Sequence, residues 1–221
     1  MTREKIELSP RLAAVASLIR ESDVVIDVGS DHGKLGAFCL REGLCRSLIA
    51  TDIHVQPAER TRQFLRLCGY EKSSEVCCTD GLNGVDVPDG ATIVIAGMGG
   101  LEIRKILQEF LAKEPTKNVS FVLQPQRSFY ELRTFLSEAG LPIVEEKIAS
   151  ERGRYYIVIR TEGRGERYLL SKEERYLGPY ILREKPELFT EYMAHSRKLM
   201  EKQALGNTAC AEILKTWEEL L

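Results

Sequence analysis

Short apolar, β-branched runs alternate along the first two thirds of the chain with stretches whose apolar residues recur every three or four positions. Asp23–Val28, Ser47–Asp52, Glu75–Cys78, Ala91–Ala96 and Val119–Gln124 have the length and the Gly or polar flanks of buried strands. Between them, residues 34 to 42, 56 to 68, 101 to 112 and 128 to 138 read as helices, two of them closed by Gly69 and Gly140. Ser9-Pro10 before Arg11–Ile19 reads as an N-cap with proline at the first helical position. This alternation predicts a parallel sheet with helices on both faces. The pattern then changes. Ile143–Ile148 and Arg154–Arg160 are strand-like, and the segment Ala149–Gly153 between them is too short for a crossover helix, so they are expected to be antiparallel neighbours.

Beyond Thr161 comes a polar, Gly-containing segment, and from Ser171 the chain is helical in character, broken at Pro179 and Pro186. Its longest piece, about Glu187 to Ala204, places Leu188, Tyr192, His195 and Leu199 on one expected apolar face, with a further helix toward Leu221 carrying Ile213 and Trp217. The expected organisation is therefore an α/β domain over residues 1–161 and a helical appendage over 162–221.

In such a sheet ligands bind at the carboxyl ends of the strands. After the first strand comes Asp27-Val28-Gly29-Ser30-Asp31-His32-Gly33. A dinucleotide loop would carry glycine where Asp31 stands, because a carboxylate repels a pyrophosphate. Asp27 and Asp31 together suit a ligand bearing positive groups, and S-adenosylmethionine, with its ammonium and sulfonium, fits. Asp52 follows the second strand at the distance where an acidic residue accepts hydrogen bonds from ribose hydroxyls. Asp80-Gly81 follows the third strand, where a carboxylate could take an adenine amino group or simply form a turn. Gly97-Met98-Gly99-Gly100 follows the fourth and implies backbone close to cofactor or substrate. Gln124-Pro125-Gln126-Arg127 follows the fifth, where amides could meet a base edge and Arg127, like Arg11, a phosphate. The alternative is a polar loop and solvated arginines. No P-loop motif occurs.

The set Leu8-Ser9-Pro10-Arg11-Leu12, Asp27-Val28-Gly29-Ser30-Asp31-His32, Asp80-Gly81-Leu82, Ile95–Gly100 and Leu123-Gln124-Pro125-Gln126 resembles the bacterial tRNA adenine-22 N1-methyltransferases (TrmK type) in order and spacing across nearly the whole chain. The resemblance implies a Rossmann-like methyltransferase sheet, S-adenosylmethionine as methyl donor, a tRNA partner methylated at N1 of adenine 22, and a coiled-coil-like C-terminal appendage. Together with the loop readings, the candidate cofactor contacts are Asp27, Gly29, Ser30, Asp31, His32, Asp52, Asp80, Gly81, Gly97, Met98 and Gly99, and the candidate substrate contacts Arg11, Gln124 and Arg127. Asp31 and Asp27 are the candidate catalytic carboxylates. The family loop usually continues with an aromatic residue and a proline; here Lys34-Leu35-Gly36 follow Gly33. Another RNA, a small molecule, or a non-catalytic RNA-binding role are the alternatives. A nicotinamide enzyme is disfavoured by Asp31 and the terminal hairpin.

Composition narrows the partners. Thirty-one Lys and Arg face 33 Asp and Glu in 221 residues, a net charge of −2, which excludes bulk polycation binding. Glu162–Lys202 holds nine basic and eight acidic residues, so the appendage is not basic in bulk either. Any tRNA affinity must come from local segregation of charge. The six cysteines form no C-x-x-C pair and are expected to be small buried hydrophobes rather than a metal site. The start, Met1–Glu7, has no apolar stretch, and the expectation is a cytoplasmic protein without a signal peptide or membrane span.

Overall fold

The computed structural model describes residues 6–114 and 116–221; the first residues of the leader reading lie outside them. Seven strands form one sheet in the order β3-β2-β1-β4-β5-β7-β6. They are β1 (Ser22–Val28), β2 (Cys45–Asp52), β3 (Ser74–Cys78), β4 (Thr92–Met98), β5 (Ser120–Pro125), β6 (Ile143–Glu151) and β7 (Arg154–Glu162). The first five pair in parallel, as the alternation predicts. β7 pairs antiparallel with both β5 and β6, so the last strand in sequence lies inside the sheet and β6 takes the edge.

The five-residue connection expected between these two strands is shorter. Ala149, Ser150 and Glu151 continue β6, and only Arg152 and Gly153 turn, both with positive φ (52° and 73°). Two such residues match the twist of the flanking strands.

Period-two alternation divides the sheet's side chains between two cores. Val25, Val94, Val122 and Val158 face α1 (Pro10–Leu18), α2 (Lys34–Arg41) and α3 (Val55–Leu67). Ile26, Ile93, Phe121 and Ile159 face α4 (Gly100–Lys113), α5 (Phe129–Glu138) and the C-terminal helices. Those are α6 (Lys172–Leu177), α7 (Pro179–Glu184), α8 (Phe189–Gln203) and α9 (Thr208–Lys215). Leu177, Ile181, Met193, Ile213 and Trp217 belong to the same buried cluster as the sheet residues.

The apolar face expected for α8 is rotated. Phe189, Tyr192, Met193, Ser196 and Met200 are buried, while Leu199 is exposed. The buried set follows the i, i+3, i+4, i+7, i+11 track, and the methionines on it outweigh the leucines next to it. Pro179 starts α7 instead of only ending α6, and Gly178 joins the two helices.

A buried ion pair ties these helices to the sheet. Arg133 on α5 and Glu146 on β6 are both fully inaccessible and meet at 2.8 Å. Arg133 also donates to the Arg175 and Tyr176 carbonyls near the end of α6, and Glu146 accepts from the Tyr180 and Ile181 amides opening α7. Each charge is thus surrounded by backbone partners, the condition under which a buried pair holds.

Candidate active site

The carboxyl ends of β1 and β4, with the starts of α1 and α2, surround a pocket of about 410 Å³, within the size range of small-ligand sites. Its lining includes Arg11, Asp27, Gly29, Ser30, Asp31 and Gly97. Asp27 is the last polar residue of β1 and is 4 % exposed. Burial pushes its carboxyl up to about 6; a hydrogen bond from Ser30 opposes this, and Asp52 nearby adds to it. Asp52 is also buried, and each of its oxygens accepts a backbone N–H, from His54 at 3.0 Å and Asp31 at 3.3 Å. A carboxylate held this way keeps lone pairs for vicinal hydroxyls.

The loop between them is fastened by Gly29 and Ser30 amides donating to the Thr51 carbonyl. Gly29 has φ +74°, and a Cβ there would lie 2.3 Å from Met98 Cε. Met98 therefore closes against the loop, which explains its place between glycines.

The two carboxylates expected to act together both line the pocket but differ in burial. Asp31 has positive φ (54°) and is 60 % exposed, with Arg60 at 3.2 Å and His32 at 3.4 Å. Its carboxylate thus lines the pocket from the exposed edge, paired with Arg60, while Asp27 lines it from the buried floor. His32 is at the rim with it. Asp80 is exposed, while Gly81 turns its α-carbon toward Ile106 on α4. Gly97 forms a bulge in β4 close to the Arg11 guanidinium. Gly99 and Gly100 lie against the loop after β5: a Cβ at Gly100 would sit 2.4 Å from the Ser128 carbonyl. For Gly100 the close neighbour is thus protein backbone, not ligand.

Gln124 is a further correction. It is completely buried, its Oε1 accepts from Arg11 (2.8 Å) and Gln126 (3.2 Å), and its Nε2 donates to the Pro125 carbonyl. It holds Arg11 in place and presents nothing to a base edge. Arg11 itself lies over the Tyr156 ring at 5.9 Å. The start of α1 is set by Ser9, which caps it, and by Glu151, which accepts the Arg11 amide at 3.2 Å. Hydrogen bonds from the Ser9 side chain, the larger effect, and from the Arg11 amide hold the Glu151 carboxyl below its usual range. Arg127 is exposed at the end of β5.

Beyond Arg11, Gln124 and Gln126 opens a second cavity of about 430 Å³ between β7 and α8. Tyr155, Tyr156, Tyr176, Phe129, Arg127 and Arg154 are among its walls. Sequence reasoning missed it, because its rings come from four separate segments; the adjacent Tyr155-Tyr156 was the available signal. The cysteines divide: Cys39, Cys45 and Cys210 are buried as expected, whereas Cys78 is exposed. Burial pushes the Cys45 thiol up to about 11. Among the described residues no helix is long and apolar enough to cross a membrane, and no cluster of three His, Cys, Asp or Glu could hold a metal ion.

Comparison with known proteins agrees with this geometry. The chain is 28% identical over 206 residues to the tRNA (adenine(22)-N(1))-methyltransferase of Bacillus subtilis, covering 90% of this chain and 86% of that protein. It is 29% identical over 178 residues to a putative tRNA methyltransferase of Mycoplasma pneumoniae, covering 78% and 80%. A crystal structure of a putative tRNA (m1A22) methyltransferase of Streptococcus pneumoniae, in complex with S-adenosyl-L-methionine, superposes with a TM-score of 0.85 at 28% identity, covering 97% of this chain and all of that one. The model of the methyltransferase domain matches residues 8–159, the strands and loops that build the pocket, and the chain belongs to that family.

Proposed function

We propose that this protein transfers a methyl group from S-adenosylmethionine to N1 of an adenine in tRNA, at position 22. The observation that carries the reading is the buried pair Asp27 and Asp52 at the ends of β1 and β2, flanking the Gly29 loop. The residues fit the donor: Asp27 is an acceptor for a cationic group, Asp52 an acceptor for ribose hydroxyls, and the tight Gly29 turn leaves room for both. When bound, S-adenosylmethionine supplies an electrophilic methyl on sulfur.

The protein's own part is positioning. The loop after β4 has no acidic or amide side chain, and Gln124 after β5 is turned inward. Ring N1 of adenine carries an in-plane lone pair, so no base is required before attack. The task is to hold N1 in line with the methyl, which is where orientation contributes most. Arg11, fixed by Gln124 and Tyr156, forms the wall against which the base is placed. The names of the Bacillus and Streptococcus relatives support the tRNA substrate. The test is incubation of the full chain with S-adenosylmethionine and a tRNA transcript, followed by nucleoside mass analysis. The expected product is 1-methyladenosine, lost when adenine 22 is replaced by guanine. Product that survives this replacement would refute the assigned position.

A further inference from the structure

We infer that the cleft between β7 and α8 holds the nucleotide next to the target adenine, unpaired, with its base against Tyr155 and its phosphate between Arg127 and Arg154. The inference rests on the tRNA reading above and adds a second contact to it.

Charge is the first argument. No Asp or Glu lines this cleft, although acidic residues outnumber basic ones in the chain, 33 to 31. Among the described residues no carboxylate pairs with Arg127 or Arg154, in contrast to Arg20, Arg60 and Arg133. Two uncompensated guanidinium groups at the mouth of an acid-free cavity suit a phosphate.

The second argument is the lining. Tyr155 is held by His195 at 5.2 Å and edge-on by Tyr192 at 6.4 Å. Aromatic rings with amides and hydroxyls nearby match a flat, polar-edged heterocycle better than an aliphatic chain, and such platforms bind bases in single strands. A volume of about 430 Å³ accepts a nucleoside and excludes a duplex.

Position is the third. Gln126 lines the cleft and bonds Gln124, which bonds Arg11, which lines the pocket containing Asp27. The two cavities are thus linked through three bonded side chains, which places the neighbour of a target base entering the pocket on the side of the cleft.

The experiment measures steady-state kinetics of the full chain on intact tRNA and on tRNA made abasic at either neighbour of the target. Wild-type protein, Tyr155→Ala and Tyr155→Phe are compared, with melting temperature as a folding control. Tyr155→Ala is expected to raise KM for intact tRNA about tenfold, from loss of one stacked base, with kcat and S-adenosylmethionine affinity little changed. Tyr155→Phe keeps the ring and should retain the wild-type KM. One abasic substrate should raise the wild-type KM by a similar factor and remove the difference between wild type and Tyr155→Ala. Should Tyr155→Ala fold poorly, Arg154→Ala on the exposed rim serves instead, with a smaller rise in KM. An unchanged KM, or the same penalty on intact and both abasic substrates, would overturn the inference while leaving the tRNA reading intact. Absence of product from wild-type protein would overturn both.

Discussion

The pocket under the Gly29 loop and the cleft under α8 share a wall but differ in sign. The pocket contains a buried carboxylate, Asp27, with another, Asp52, beside it; the cleft contains rings and guanidinium groups and no acid. A chain of net charge −2 can therefore present one surface to a cation and another to a polyanion. The count of charges describes the average of the two, and the average describes neither. The wall between them, Arg11 held by Gln124 and Tyr156, is what keeps the two environments apart.

The largest test of that separation removes the cleft's support. Arg133→Ala leaves Glu146 buried without its partner and should cost about 3–5 kcal/mol of stability, read by chemical denaturation. The native fraction should still bind S-adenosylmethionine with little change, because no pocket residue touches Arg133. Parallel loss of cofactor affinity in the folded protein would mean the two regions are one unit.

Asp27→Asn addresses the other side. Folded Asp27 stays protonated up to about pH 6, whereas the unfolded chain loses this proton near 3.8. The native state thus holds more protons between these values, and stability falls as pH rises from about 4 to 6. The shift corresponds to about 3 kcal/mol that is fully lost above pH 6. Asp27→Asn should recover part of it, melting higher at pH 8 while binding S-adenosylmethionine on the order of 100-fold more weakly by titration calorimetry. Wild-type cofactor affinity should fall as pH drops through 6, and the Asn variant should show no such step.

Gly29→Ala places a methyl group against Met98 in a backbone conformation that favours glycine. A destabilisation of about 1–3 kcal/mol is expected, with weakened cofactor binding and tRNA binding retained in the folded fraction. Smallest of all, Arg127→Ala and Arg154→Ala should each reduce the salt slope of tRNA binding by about 1, leaving cofactor affinity alone. An unchanged slope would remove either residue from the RNA contact.

The parallel strands, the end hairpin and Asp27 were legible in the sequence because each is encoded locally, in a β-branched run, a short connection or a residue next to a glycine turn. What was not legible depends on partners far along the chain. Gln124 reads as a surface amide until Arg11, distant in sequence, is seen to occupy it. Asp31 reads as the equal of Asp27, and its pairing with Arg60 on α3 at the exposed edge shows only in three dimensions. The face of α8 was misplaced because leucine spacing was followed while Met193 and Met200 take the interior.

The placement of α1 has a consequence for the order in which the protein becomes competent during synthesis. Arg11 precedes its two anchors, Gln124 and Glu151, by 113 and 140 positions. β7, which supplies Tyr156, follows the other six strands of the sheet in sequence and sits inside it. A ribosome that has released only β1 to β4 has exposed the Gly29 loop, Asp27 and Asp52 but no wall to close them. Docking of the start of α1 as seen in the folded protein therefore requires the hairpin to be in place.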